Sequence, residues 1–347
     1  MGKEYIINGR IDLKKLYFSD EYKWLREDCG ERLCFITVSG SWGYGTNVEG
    51  SDIDIRGVML STIDDLIGLQ NEDQRIDEST DTVIYEFNKF VRLIMNSNPN
   101  TIEMLGTNNY LIFNEVGQEL IDNARLFLSK KCLYSFGGYA QAQLRRIENS
   151  LARKMTLQEI LAHMKKTMDI AMLKLKDRNK LFFDESLSVD IGEDCITMSG
   201  NFKNVPIAHV RAALNDIQTI EKAYEGINHR NRKPVEKMDK HVMHLVRLYH
   251  TCFDILEKGE IITVRPERDF LLEIRNGKFI KDGALTEEFK VYNKQLEDKL
   301  QELKNTSTLQ EKPKFKEINE WVKSVNSRVV KDTVLKYKEP LDTVIVR

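Results

Sequence analysis

The sequence has no pair of cysteines at CxxC spacing, and its five cysteines, at positions 29, 34, 132, 195 and 252, are an odd number. A fully paired disulfide framework and a cysteine-built zinc site are thereby excluded, and a reducing, cytoplasmic setting is expected. No His-x-x-x-His pair offers zinc an alternative. Nor is there a run of roughly 18 apolar residues, the length a membrane span needs, so no membrane partner is expected. Net charge is nearly absent too: 52 Lys and Arg stand against 54 Asp and Glu, leaving -2. That balance gives no global pull toward nucleic acid or anionic lipid, and any polyanion site must be a local patch. Internal repeats are also missing.

What is present suffices for two main domains, since 347 residues with 41% hydrophobic content exceed one core of ordinary size. The run LCFITV (33–38) reads as a buried strand and ends at the glycine-rich turn Ser39-Gly40-Ser41-Trp42-Gly43-Tyr44-Gly45. Ile53, Ile55, Gly57, Val58 and Leu60 suggest a second strand, and Thr82 to Phe87 a third. Phe90, Val91, Leu93, Ile94 and Met95 then fall at helical spacing until Asn96-Ser97-Asn98-Pro99-Asn100 breaks it. Beyond about residue 131 strand signals thin out, and 139–180 and 236–258 carry amphipathic helical patterns. The expectation is an α+β fold, a small mixed sheet with flanking helices followed by a mainly helical domain. Its divisions are 1–130, 131–284, and a charged helical extension, 285–347, packing on the helical domain.

Gly40-Ser41, eleven residues before Asp52-Ile53-Asp54, joins two chemistries in one strand-turn-strand unit. Glycine lets backbone N–H groups approach phosphate oxygens, and Ser41 adds a hydroxyl donor. Strand side chains alternate faces, so Asp52 and Asp54 project to one side and can share hard divalent cations while Ile53 packs inward. Transfer from a triphosphate suits two Mg²⁺ ions, with Mn²⁺ able to substitute, and two ions call for a third carboxylate. The third strand offers Glu86, between Tyr85 and Phe87, and the alternative Asp81 at its start, facing the other way if the strand is regular. Glu86 is the favoured candidate.

The Gly-Ser turn, the Asp-x-Asp pair and a later strand acid resemble the signature of the DNA polymerase β-like nucleotidyltransferase superfamily. Longer stretches, YEFNKFVRLIMNSNPNTIEML, GGYAQAQLRRIE, HVMHLVRLYHTCFDILEKGEI and TLQEKPKFKEINEWV, are similar to segments of the YcgL-like predicted nucleotidyltransferases. This resemblance implies a nucleotidyltransferase sheet followed by a helical domain, with Ser41, Asp52, Asp54 and Glu86 at the triphosphate and metal positions. The segment 188–233 looks longer and more polar than that pattern.

In the helical part, Lys240, His244 and Arg247 are spaced i, i+4 and i+7, a cationic stripe that could clamp phosphates. Gln143, Arg146, Arg153, Lys154 and Lys165-Lys166 form a second basic tract, able to contact an acceptor. The expected activity is transfer of a nucleoside monophosphate from ATP or another nucleoside triphosphate to an acceptor hydroxyl, with pyrophosphate released. An RNA 3′ end is favoured over a protein or small-molecule acceptor. The alternative is an inactive nucleotide-binding or partner-binding regulator that keeps the fold.

Overall fold

The computed structural model describes residues 4–69, 72–151, 188–191, 196–200, 204–211 and 238–336, with isolated positions between 162 and 218. The architecture is mixed α and β with a helical C-terminal region. A hairpin of β1 (Ile6–Ile7) and β2 (Arg10–Ile11) precedes helix α1 (Leu13–Phe18). The central sheet comprises β3 (Leu33–Ser39), β4 (Asp54–Met59), β5 (Gln74–Asp77), β6 (Thr82–Glu86) and β7 (Tyr110–Ile112) in the order β5-β6-β4-β3-β7. Only β4 and β6 run parallel; the other pairs are antiparallel.

The uninterrupted apolar run of β3 follows from burial on both sheet faces. On one face Ile36, Val38, Ile55 and Ile84 pack with Leu13, Leu16, Tyr22 and Leu25. On the other, Phe35 and Val58 meet Phe87, Phe90, Val91 and Ile94. Between strands lie the short helices α2 (Gly40–Tyr44) and α3 (Ile63–Ile67), then α4 (Phe87–Met95), α5 (Pro99–Ile102) and α6 (Glu115–Asp122). Helix α7 (Lys131–Leu151) follows, then the hairpin β8 (Ser188–Ile191) and β9 (Ile196–Ser199). After these come α8 (Met238–Lys258), α9 (Arg268–Arg275), the hairpin β10 (Ile280–Lys281) and β11 (Ala284–Leu285), α10 (Glu287–Thr306) and α11 (Phe315–Lys336). Among the described residues no helix is long and apolar enough to cross a membrane.

By contact the chain groups Met1–Gln141, Met243–Asn276 and Lys290–Arg347 into one unit, and Ala142–Val242 with Gly277–Phe289 into another. The sequence suggested divisions near 130 and 284; the contact-defined units are discontinuous along the chain, with three boundaries inside α7, α8 and α10 and one just after α9. Helix α11, expected on the helical domain, packs in the unit that holds the sheet. Its Ile318, Trp321, Val322 and Val325 recur at i, i+3, i+4 and i+7, and Ile318 and Val325 are buried in the core of Phe87 and Phe90. Trp321 meets Phe87 edge-on at 5.4 Å between ring centroids and donates its indole N–H to Glu119 at 2.7 Å. Arg328 then takes both Glu119 oxygens, each at 2.7 Å, and this fork holds the Glu119 carboxyl below the usual carboxylate range.

Candidate active site

The last residue of β3, Ser39, is paired in register with the first residue of β4, Asp54. The chain therefore turns into α2 directly against the Asp54 carboxylate. Gly40 has φ +59, and a Cβ there would lie 1.7 Å from Asp54 Oδ2, so both backbone and space require glycine. Ser41 is buried in α2, whose end is turned by Gly45 in the left-handed conformation at φ +74.

The parallel pairing of β4 with β6 aligns Ile55 with Thr82, which brings Asp81 beside Asp54. A hydrogen bond shared with Asp54, helped by the nearby Arg56 guanidinium, holds the Asp81 carboxyl below its ordinary range. Arg56, two residues beyond Asp54 and so on the same strand face, is 3.1 Å from Asp81 Oδ1 and 3.9 Å from Asp54 Oδ1. It is anchored by donating to the carbonyls of Asp81 at 2.5 Å and Ile55 at 2.9 Å. Asp52 is exposed just before β4, with Ile53 buried between the two acids. Asp52 and Asp81 share a cavity of about 780 Å³ with Trp42, Glu49 and Glu78.

Glu86 does not join this group. In register it stands opposite Met59, five residues along from Asp54. Its buried carboxylate accepts from the backbone N–H groups of Asn88 at 2.9 Å and Lys89 at 2.7 Å, and from the Ser61 hydroxyl. Glu86 is thus the N-cap of α4, and the strand ends one residue short of Phe87 because these amides are already helical. No three acidic, histidine or cysteine side chains converge into a metal cage among the described residues. The observed carboxylate group is a pair, Asp54 and Asp81, with Asp52 close in sequence.

The stripe on α8 separates by environment. Lys240 is exposed and His244 is half-buried beside Tyr44, ring centroids 6.4 Å apart. Arg247 is buried, pairs with buried Glu103, and lies over the Tyr44 ring at 3.6 Å. Tyr44 in turn donates to Glu103 at 3.1 Å. Burial alone would push the Arg247 guanidinium down, but the Glu103 carboxylate outweighs it and the shift is upward. Burial pushes the Tyr44 phenol up, with the Arg247 charge opposing the shift and the Glu103 carboxylate adding to it. In the second basic tract, Gln143 pairs with His241 at 2.9 Å and Lys165 and Lys166 are exposed. Arg153 and Lys154 lie outside the described residues.

Several residues of this region gave no signal by spacing. The carbonyls of Tyr44, Gly45 and Thr46, which follow Ser41, are taken in turn by the Arg265 N–H at 3.0 Å, Arg268 Nε at 2.6 Å and Arg275 Nη1 at 3.0 Å. These three arginines sit in TVRPERDFLLEIR, whose charge density was the one available clue. Arg56 was legible only as the next same-face position after Asp54.

Residues 18–173, which hold a mixed sheet that sets a Gly-Ser turn against an Asp-x-Asp strand, are similar to the polymerase β-like nucleotidyltransferases. Residues 18–173 match the family model described as RlaP, the RNA repair pathway DNA polymerase beta family. The match covers the whole sheet and less than half of the 347 residues. No curated protein and no solved structure matches the chain.

Proposed function

We propose that this protein transfers a nucleoside monophosphate from a nucleoside triphosphate to the 3′ hydroxyl of an RNA, in a reaction that depends on divalent metal. The observation that carries this reading is the placement of the Asp54 carboxylate between Gly40 and Asp81. The family description, with its reference to RNA repair, supports the choice of acceptor.

The donor set fits Mg²⁺, which is commonly held by one or two carboxylates plus substrate phosphates rather than by a closed protein cage. Asp52, Asp54 and Asp81 supply hard oxygens, and the absence of a Cβ at Gly40 keeps the Asp54 oxygen accessible from the turn. Asp81 is preferred to Glu86 as the third carboxylate because Glu86 is spent on the α4 cap. Bound there, the metal would neutralise charge on the triphosphate. Backbone N–H groups around Gly40 and Ser41 seat the β and γ phosphates, and this positioning carries much of the rate. The acceptor oxygen forms a bond to the α phosphorus while the bond from that phosphorus to the β-bridging oxygen breaks. The electron pair leaves with pyrophosphate, and the hydroxyl proton passes to Asp81 and on to water.

The test is label transfer from each of four α-labelled nucleoside triphosphates with Mg²⁺ or Mn²⁺, using total RNA and protein extract as acceptors. Transfer to RNA that vanishes in Asp52→Asn/Asp54→Asn is the expected result. Label in protein would overturn the acceptor. The pairing of Arg56 with both acids favours a second reading, a nucleotide-binding regulator whose acids are structural. That reading requires triphosphate binding without metal-dependent transfer.

A further inference from the structure

Trp42 and Asn47 each line two cavities, and the two are opposite in charge. The first, already described, gathers Glu49, Asp52, Glu78 and Asp81 and has no basic side chain among its described lining residues. The second, of about 520 Å³, gathers Arg10, Arg268, Asn108 and Asn109 and has no carboxylate among its described lining residues. In a chain of net charge -2 this segregation does not come from a general excess of base.

We propose that the second cavity holds the terminal nucleotides of the acceptor strand, with the guanidinium groups on backbone phosphates and the Trp42 indole against a base. This rests on the nucleotidyl-transfer reading above. A triphosphate arrives with divalent cations that offset an acidic cavity, whereas an RNA backbone facing four carboxylates is repelled. The strand must therefore lie where the arginines are and pass its hydroxyl to the acids past the one aromatic wall common to both spaces. Arg268 is fixed in place by its Nε bond to the Gly45 carbonyl at 2.6 Å and by an Nη1 contact with the exposed Asp269 at 3.2 Å, which leaves Nη2 able to meet a phosphate. Arg10 is exposed on β2 and has no ion-pair partner among the described residues. Trp42 is held by donating its indole N–H to the Ser51 carbonyl at 3.3 Å. The asparagine amides at 47, 108 and 109 can both donate to and accept from base edges. Base stacking on aromatic side chains with cations on the backbone is the usual way proteins hold single strands.

The experiment measures fluorescence anisotropy of a labelled single-stranded RNA ten-mer with the full chain at several salt concentrations. In parallel, it measures binding of a fluorescent nucleoside triphosphate analogue with Mn²⁺. Arg10→Glu and Asn108→Asp each place an acid in the second cavity at an exposed position. RNA affinity is expected to fall about tenfold in Arg10→Glu, and loss of one phosphate contact lowers the salt slope by about 0.7. Triphosphate binding is expected to stay unchanged. RNA affinity within twofold of wild type in both variants would overturn the proposal. So would a loss no larger than that of the exposed control Lys312→Glu, or no RNA binding by the wild-type chain. If triphosphate binding falls instead, the cavity belongs to the triphosphate and the proposal also fails. RNA binding that depends on Arg10 without any label transfer would leave the cavity assignment standing and sink the transferase reading alone.

Discussion

Arg247, Glu103 and Tyr44 form a buried group whose disruption has a calculable outcome. The Arg247 and Glu103 side chains are 5% and 4% exposed, so removing either partner leaves a charge almost without water. Breaking such a pair costs about 3–5 kcal/mol, whereas removing both charges together is often close to neutral. Arg247→Met keeps the length of the side chain and abolishes its charge, and Glu103→Gln keeps an acceptor for the Tyr44 hydroxyl. At about 2–4 °C per kcal/mol for a unit of this size, each single variant should melt roughly 6–20 °C below wild type. The double variant should recover much of that loss, giving a coupling energy of about 2 kcal/mol or more in a double-mutant cycle. Calorimetry on the four proteins measures this directly. Single variants within about 1 kcal/mol of wild type, or strictly additive effects, would refute the assignment of a desolvated pair. Triphosphate affinity should fall together with stability in both single variants, because Tyr44 ends the same short helix that contains Ser41.

Three further outcomes are expected. Asp81→Asn should weaken Mn²⁺ binding at least tenfold with little change in melting temperature, while Glu86→Gln should leave Mn²⁺ binding intact and cost about 1 kcal/mol through the lost cap; paired titrations and melts distinguish the two, and the opposite pattern would restore Glu86 as the third ligand. Gly40→Ala should abolish metal-dependent label transfer while the protein remains folded by circular dichroism, since the added Cβ meets the Asp54 carboxylate and the φ of +59 disfavours any side chain. Glu267, although partly buried, has its carboxyl held down at about 2 by hydrogen bonds from His250 and Arg265 and by the Arg265 charge. A depressed carboxylate contributes stability above its unfolded value and loses it as pH falls through the folded one, so urea midpoints should drop between about pH 4.5 and pH 2. Glu267→Gln should flatten that segment of the profile, and an unchanged slope would show that other groups carry it.

Local pattern was enough to reveal much of this molecule. The run LCFITV into a glycine turn marked β3 and α2, the apolar positions from Ile55 to Val58 marked β4, and the periodicity of 236–258 marked α8, because faces and turns are encoded by residues a few positions apart. Tertiary structure decided everything that depended on register and closure. The strand pattern favoured Glu86 over Asp81, but it could not show that parallel pairing sets Ile55 against Thr82, which brings Asp81 beside Asp54, while Glu86 caps α4. By spacing Arg247 belonged to a cationic stripe that could clamp phosphates, and only the arrival of Glu103 and Tyr44 from far along the chain made it a buried, paired residue. The cationic cavity is assembled from Arg10, Asn108 and Arg268, positions no local window contains together. Sequence periodicity fixes which face of an element is apolar; which distant charge meets that face is settled by how the sheet closes and where the helices return to it.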